Sequence, residues 1–176
     1  MQWQVSVYAL ALFAAAGIML VALMFVWPRR RAIGGRPLAG LLLAAILWSV
    51  GYAFEAMATT VTAKVVFGTI GYPGALAVPV FFFLFVVEYT QSEKWAPRPR
   101  WLVWIVPAFC VLAAVTNSFH HQLWTEFVME PNNILVYKHG PLFFLVIGYS
   151  YLLLLASIGI LLAAFGRRDE IGRAHV

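Results

Sequence analysis

The chain has 176 residues, of which 63% are hydrophobic and only 11% charged, and a water-soluble domain cannot cover its surface with so few charges. A hydrocarbon core of roughly 30 Å takes about 20 apolar residues per helical crossing, which leaves room for about five crossings with short loops and none for a soluble catalytic domain. The formal net charge of +5 sits in short clusters at the ends of apolar runs instead of forming a stripe, so the lipid bilayer is the expected partner and nucleic acid is not.

The first apolar run, 5–27, has no basic leader, is too long for the apolar core of a signal peptide, and carries its arginines after the run, so it reads as a retained helix. Pro28 stops it, Arg29, Arg30 and Arg31 follow, and Gly34-Gly35-Arg36-Pro37 leads into a second helix over 38–57. A polar connector over 58–64 precedes a third run over 65–89. Gly68, Gly71, Pro73, Gly74 and Pro79 interrupt that run, so a bent, closely packed helix is expected. A hydrophilic turn over 90–100 follows, and Trp101 opens a shorter fourth run over 101–116 that holds Pro107 and the single cysteine, Cys110. One cysteine within an apolar run excludes an intramolecular disulfide and a CxxC pattern, and points to packing. The longest loop, 117–140, contains a short extended piece over 134–137 after an Asn-Asn turn, and a fifth helix covers 141–165.

The expected fold class is therefore all-α: an integral membrane protein built as a polytopic transmembrane helix bundle, with residues 1–170 as one region. The tail, residues 171–176, back-translates to a common short-read sequencing adapter and reads as an artefact of a truncated gene fragment. It carries no functional expectation, His175 included. Alternate loops share one side of the membrane. One side collects Arg29, Arg30, Arg31, Arg36, Lys94, Arg98, Arg100, Arg167 and Arg168, the other only Lys64 and Lys138. The positive-inside rule puts the arginine loops in the cytoplasm and the N-terminus and the long loop outside. Trp3, Trp27, Trp95, Trp101 and Trp124 fall near helix ends and read as interface anchors.

An ionisable group at membrane depth is costly unless it faces water or the bundle interior, which singles out Glu55 and Glu88. The plainer reading leaves both at the interface, solvated or paired, and Tyr89 and Thr90 mark a helix end beside Glu88. At about 1.5 Å per residue the two carboxylates lie near opposite membrane faces, which rules out an acid/base dyad. The outer surface gathers Tyr52, Glu55, Lys64, Asn117, His120, His121, Trp124, Tyr137 and, deeper, Tyr149 as candidates for a small-molecule pocket between helices. His120, His121 and His139 with Glu126 are metal-ligand types, but adjacent histidines on a helix diverge by about 100° and no HxxxH or HExxH spacing exists, so no metal is expected. The outer histidines could instead confer pH sensitivity. No dinucleotide fingerprint, Walker A sequence or GxSxG elbow occurs, and no cofactor is expected. Gly68, Gly71 and Gly74, at i, i+3 spacing, read as a helix-packing stripe.

With these residues in place, the chain resembles the N-terminal seven-helix sensor region of bacterial histidine kinases and some related signalling proteins. The resemblance is carried by Trp48-Ser49-Val50-Gly51-Tyr52-Ala53-Phe54-Glu55, Lys64, Gly71-Tyr72-Pro73-Gly74, Pro79 and Phe85-Val86-Val87-Glu88-Tyr89-Thr90. It continues through Pro107, Thr116-Asn117, His120-His121, Trp124, Val136-Tyr137-Lys138-His139-Gly140-Pro141 and Tyr149-Ser150-Tyr151. It implies an inner-membrane signal-input role for an unidentified small-molecule or physical stimulus, with a cytoplasmic output domain and a homodimeric full-length parent. Two further helices, the phosphoacceptor histidine and the ATP-binding domain of such a kinase would lie beyond Glu170, so no catalytic residue is assigned to this chain. Glu88, Tyr89 and Thr90 then read as structural or coupling residues at the cytoplasmic end. A small transporter or channel using Glu55 and Glu88 is the alternative, against which stand the lack of an internal repeat and of a polar ladder on any one helix. An intramembrane enzyme ranks below both, because no nucleophile, base and orienting group converge.

Overall fold

The computed structural model describes residues 3–95 and 99–173; Arg98 and tail residues 174–176 lie outside the described residues. The chain is a helix bundle with one small hairpin. Helix α1 spans Val7–Val26, α2 Gly35–Met57, α3 Val61–Tyr89, α4 Ile105–Val115, α5 Asn117–His120 and α6 Pro141–Arg173; strands β1 (Trp124–Met129) and β2 (Leu135–His139) lie between α5 and α6. Single 3-10 turns at Trp27–Arg29 and Arg100–Trp104 flank α1 and α4. Among the described residues, four segments are long and apolar enough to span a bilayer: Val7–Arg29, Gly35–Met57, Val61–Tyr89 and Pro141–Gly166. The fourth apolar run, Arg100–Val115, is a shorter helix. Val7, Ile18, Met24, Leu112, Leu152 and Leu162 are exposed on the bundle surface, where lipid takes the place of a protein core.

Helix α3 is the centre. Half of its apolar window is buried, against 17% for α1 and 22% for α6, and it packs on α2, α4 and α6 while α1 packs on α2. Thr60 starts it one turn earlier than the sequence suggests, its hydroxyl accepting from the Ala63 N–H at 3.3 Å. Lys64 therefore sits within the first turns of α3 and not in a polar connector. The helix runs through both Pro73 and Pro79.

Close approach of α2 and α3 depends on glycine. A Cβ at Gly51 would stand 2.5 Å from the Gly71 Cα, and one at Gly74 would stand 2.5 Å from the Ala44 carbonyl oxygen. Two apolar clusters follow along α3: Tyr72, Leu76, Cys110, Leu123, Trp124 and Val146 toward the hairpin, and Val80, Phe83, Val87, Val103, Leu153 and Ile160 toward the other end.

The region expected to be mostly loop is an antiparallel hairpin, with Phe127 opposite Tyr137, Met129 opposite Leu135, and an irregularity between Trp124 and Glu126. Asn133, at φ 59°, makes the turn that places Leu135 in register.

Candidate functional site

The last carbonyls of a helix have no partner within it. At the end of α2 they are taken up by three separate parts of the chain. The Glu55 carbonyl accepts from Lys64 Nζ at 2.9 Å, the Met57 carbonyl from the Gln4 N–H at 2.8 Å, and the Ala58 carbonyl from Asn133 Nδ2 at 3.1 Å. Lys64 is only 2% exposed, yet its ammonium is placed at the negative end of the α2 dipole with a carbonyl to bond.

Beside this junction, the Glu55 side chain projects under the hairpin. Its Oε1 accepts from the Tyr137 hydroxyl at 2.9 Å, while its Oε2 is buried and has no hydrogen-bond partner among the described residues. Burial, with the Glu55 carboxylate beside it, pushes the Tyr137 phenol above its ordinary pKa, so it stays protonated and remains the donor. Gly68 makes the approach feasible: a Cβ there would lie 2.6 Å from the Tyr137 hydroxyl and 3.1 Å from Glu55 Oε2. Gly68 thus belongs to this site, whereas Gly71 and Gly74 serve helix packing; equal spacing along α3 conceals the division. Around Glu55 opens a cavity of about 570 Å³, within the size range of small-molecule sites. Its walls include Tyr8, Tyr52, Ala56, Lys64, Asn133, Ile134, Leu135 and Tyr137. Gln4, Tyr8 and Asn133 carry no pattern that marks them in the sequence, because chain segments far apart bring them here.

Four candidates meet at the cavity: Tyr52, Glu55, Lys64 and Tyr137. The others lie elsewhere. Asn117 is buried, and its amide is spent on the backbone: Oδ1 accepts from the Leu123 and Trp124 N–H groups at 3.1 and 3.0 Å, and Nδ2 donates to the Trp124 carbonyl at 2.8 Å. His120 closes the same corner, its Nδ1 accepting from the Gln122 N–H and its Nε2 bonding the Thr116 hydroxyl, and His121 turns the chain at φ 51°. Trp124, expected at the interface, is 5% exposed and packs on Tyr72, Phe127 and Tyr137. It buttresses the wall of the cavity from behind. Tyr149 donates to the Val103 carbonyl at 2.6 Å in the far cluster. His139 stacks on Phe143, and no group of three His, Cys, Asp or Glu side chains among the described residues could hold a metal.

At the far end of α3, Glu88 pairs with Arg100, the Thr90 hydroxyl caps the Val86 carbonyl at 2.8 Å, and Tyr89 stacks on Phe85. Glu55 and Glu88 therefore serve different ends of the bundle.

A family model described as the N-terminal 7TM region of histidine kinase matches residues 11–176. No curated protein and no solved structure matches the chain. Since the family match covers nearly the whole sequence, the chain is a membrane protein that belongs to the family of N-terminal 7TM sensor regions of histidine kinases.

Proposed function

We propose that this chain is the signal-input part of a bacterial sensor kinase and that the cavity under the hairpin receives its stimulus, a small molecule that is mostly apolar and carries one hydrogen-bond donor. The observation that supports this reading is Glu55 Oε2: a buried acceptor beside a cavity, with its sister oxygen already held by Tyr137 and with no partner of its own among the described residues. Leaving such a group unsatisfied costs about 1–3 kcal/mol, which a donor on a ligand recovers. Tyr8, Tyr52, Ile134 and Leu135 supply the apolar walls. The ligand would bind between α2 and the hairpin, and the resulting shift of helix packing would pass to a cytoplasmic output domain in a homodimeric parent.

The test uses a full-length kinase carrying this region. Ala56→Trp fills the cavity and Glu55→Gln halves its acceptor character; both should abolish or strongly blunt the stimulus-dependent change in autophosphorylation while basal autophosphorylation and membrane insertion persist. Unchanged responses in both variants would overturn the cavity assignment.

A further inference from the structure

At the end of the bundle opposite the hairpin lies a second cavity, of about 520 Å³ and open to the outside, whose chemistry is the reverse of the first. Arg30, Arg31, Arg36 and Arg100 line it from three elements, together with Gln91 and, as the one carboxylate among the described residues there, Glu88. The carboxylate holds Arg100, so three more guanidinium groups border the same space. The floor is held in place by backbone geometry. Gly34, at φ 74°, lets the chain double back, and a Cβ at Gly35 would stand 2.7 Å from the Arg29 carbonyl oxygen, so the arginine turn sits directly on the start of α2. The α2 N-terminus has no side-chain cap, and its positive dipole end therefore adds to the field of the arginines. Arg30 lies over the Trp27 ring, 4.7 Å from its centre. Trp27 and Trp101 are exposed at this end, where amphipathic rings mark the headgroup layer.

We infer that this cavity binds a phosphate group, carried by an anionic lipid headgroup or free in solution. Guanidinium groups suit such a ligand, since each presents a planar fork of donors that pairs two phosphate oxygens at once, and several converging on one cavity favour a dianion or phosphodiester over chloride. The position at the headgroup layer, between the ends of α1, α2 and α3, is where basic pockets between membrane helices take lipid phosphates. Glu88 tunes the site by competing with the phosphate for Arg100.

The experiment counts phosphatidylglycerol carried per protein through transfer from nanodiscs of about 1:4 phosphatidylglycerol to phosphatidylcholine into neutral detergent, read by mass spectrometry. Arg31→Ala/Arg36→Ala, both exposed positions, should lower the retained lipid by about 25-fold or more, at roughly fivefold for each of the two basic residues. Glu88→Gln should raise it. Arg29→Ala removes one charge from the same turn but lies outside the cavity lining, and should lower retention by no more than the roughly fivefold general attraction of one basic residue. Equal loss in Arg29→Ala, or full retention in the double variant, would overturn the site. A competition arm with inorganic phosphate identifies the source: displacement at millimolar concentration marks a site for phosphate itself, whereas retention marks one that reads the lipid.

Discussion

Glu55, Tyr137 and Gly68 form a contact whose parts depend on each other: the carboxylate accepts, the phenol donates, and the absent side chain leaves room for both. Gly68→Ala should therefore do more than a conservative change in a helix, since the added methyl displaces the Tyr137 hydroxyl. Hydrogen exchange across β2 should speed up in that variant and the thermal midpoint should fall. Tyr137→Phe removes the donor alone and leaves both Glu55 oxygens without it, a loss of about 1–3 kcal/mol by the cost of stranding a buried acceptor. Thermal denaturation in one fixed detergent measures it; an unchanged midpoint would show that water already serves Glu55. The sequence groups Lys64 and Tyr137 with Glu55 on the outer surface, and Glu55 itself was legible because a polar group in an apolar run must find a partner. Gly68 was not, because i, i+3 glycines look alike whether they face a helix or a phenol. Asn117 misled for a related reason: a polar side chain does not declare whether it will face a ligand or its own backbone.

The hairpin and the α2–α3 contact show what an element needs beyond its own pattern. The base of the hairpin is tied down by the Asn117 amide, which bonds three backbone groups of Leu123 and Trp124, while Tyr137 and Asn133 tie its far part to the end of α2. Asn117→Ala strands those groups, two of them buried N–H donors, and should destabilise the chain by about 3 kcal/mol, with Asn117→Asp losing less because it keeps the acceptor. Proteolysis between 121 and 140 offers the direct readout, and equal resistance of all three chains would refute the role. At the helix contact, Gly51→Ala drives a methyl against the α3 backbone and should cost about 1–3 kcal/mol by overpacking, whereas Gly148→Ala, with nothing within 4 Å, should stay within about 1 kcal/mol of neutral. The five apolar runs could be read from composition, but among the described residues only four of them form helices long and apolar enough to span a bilayer, and the fourth run gives the 11-residue α4. β1 could not, because Trp124–Met129 mixes charged and apolar residues in no clean alternation and gains its strand only from pairing with β2.

Across the whole molecule, the two ends differ in character: a tyrosine-rich cavity holding Glu55 and Lys64 at one and an arginine-lined cavity at the other. The positive-inside rule predicts that the arginine end faces the cytoplasm. Thr62→Cys and Lys94→Cys, both exposed, test this with a membrane-impermeant maleimide, while the native Cys110 is fully buried and gives little background. Labelling of residue 62 but not 94 in intact cells is the expected outcome, and the reverse pattern would invert the topology.

Helix α2 connects the two ends directly. Its final carbonyls are held by Lys64, by Asn133 and by the N-terminal segment, so it cannot fray at that end without three parts of the chain letting go together. With 23 residues and no proline after its first turn, it is a strut about 34 Å long. Its closest backbone approaches to α3, Gly51–Gly71 and Ala44–Gly74, flank its middle, so a rigid tilt of the helix would turn about them. A tilt of about 5° moves each tip by roughly 1.5 Å, in opposite directions, which is the scale of helix shift that proteins use for switching. Pressure on one tip is then felt at the other without any change in the helix itself.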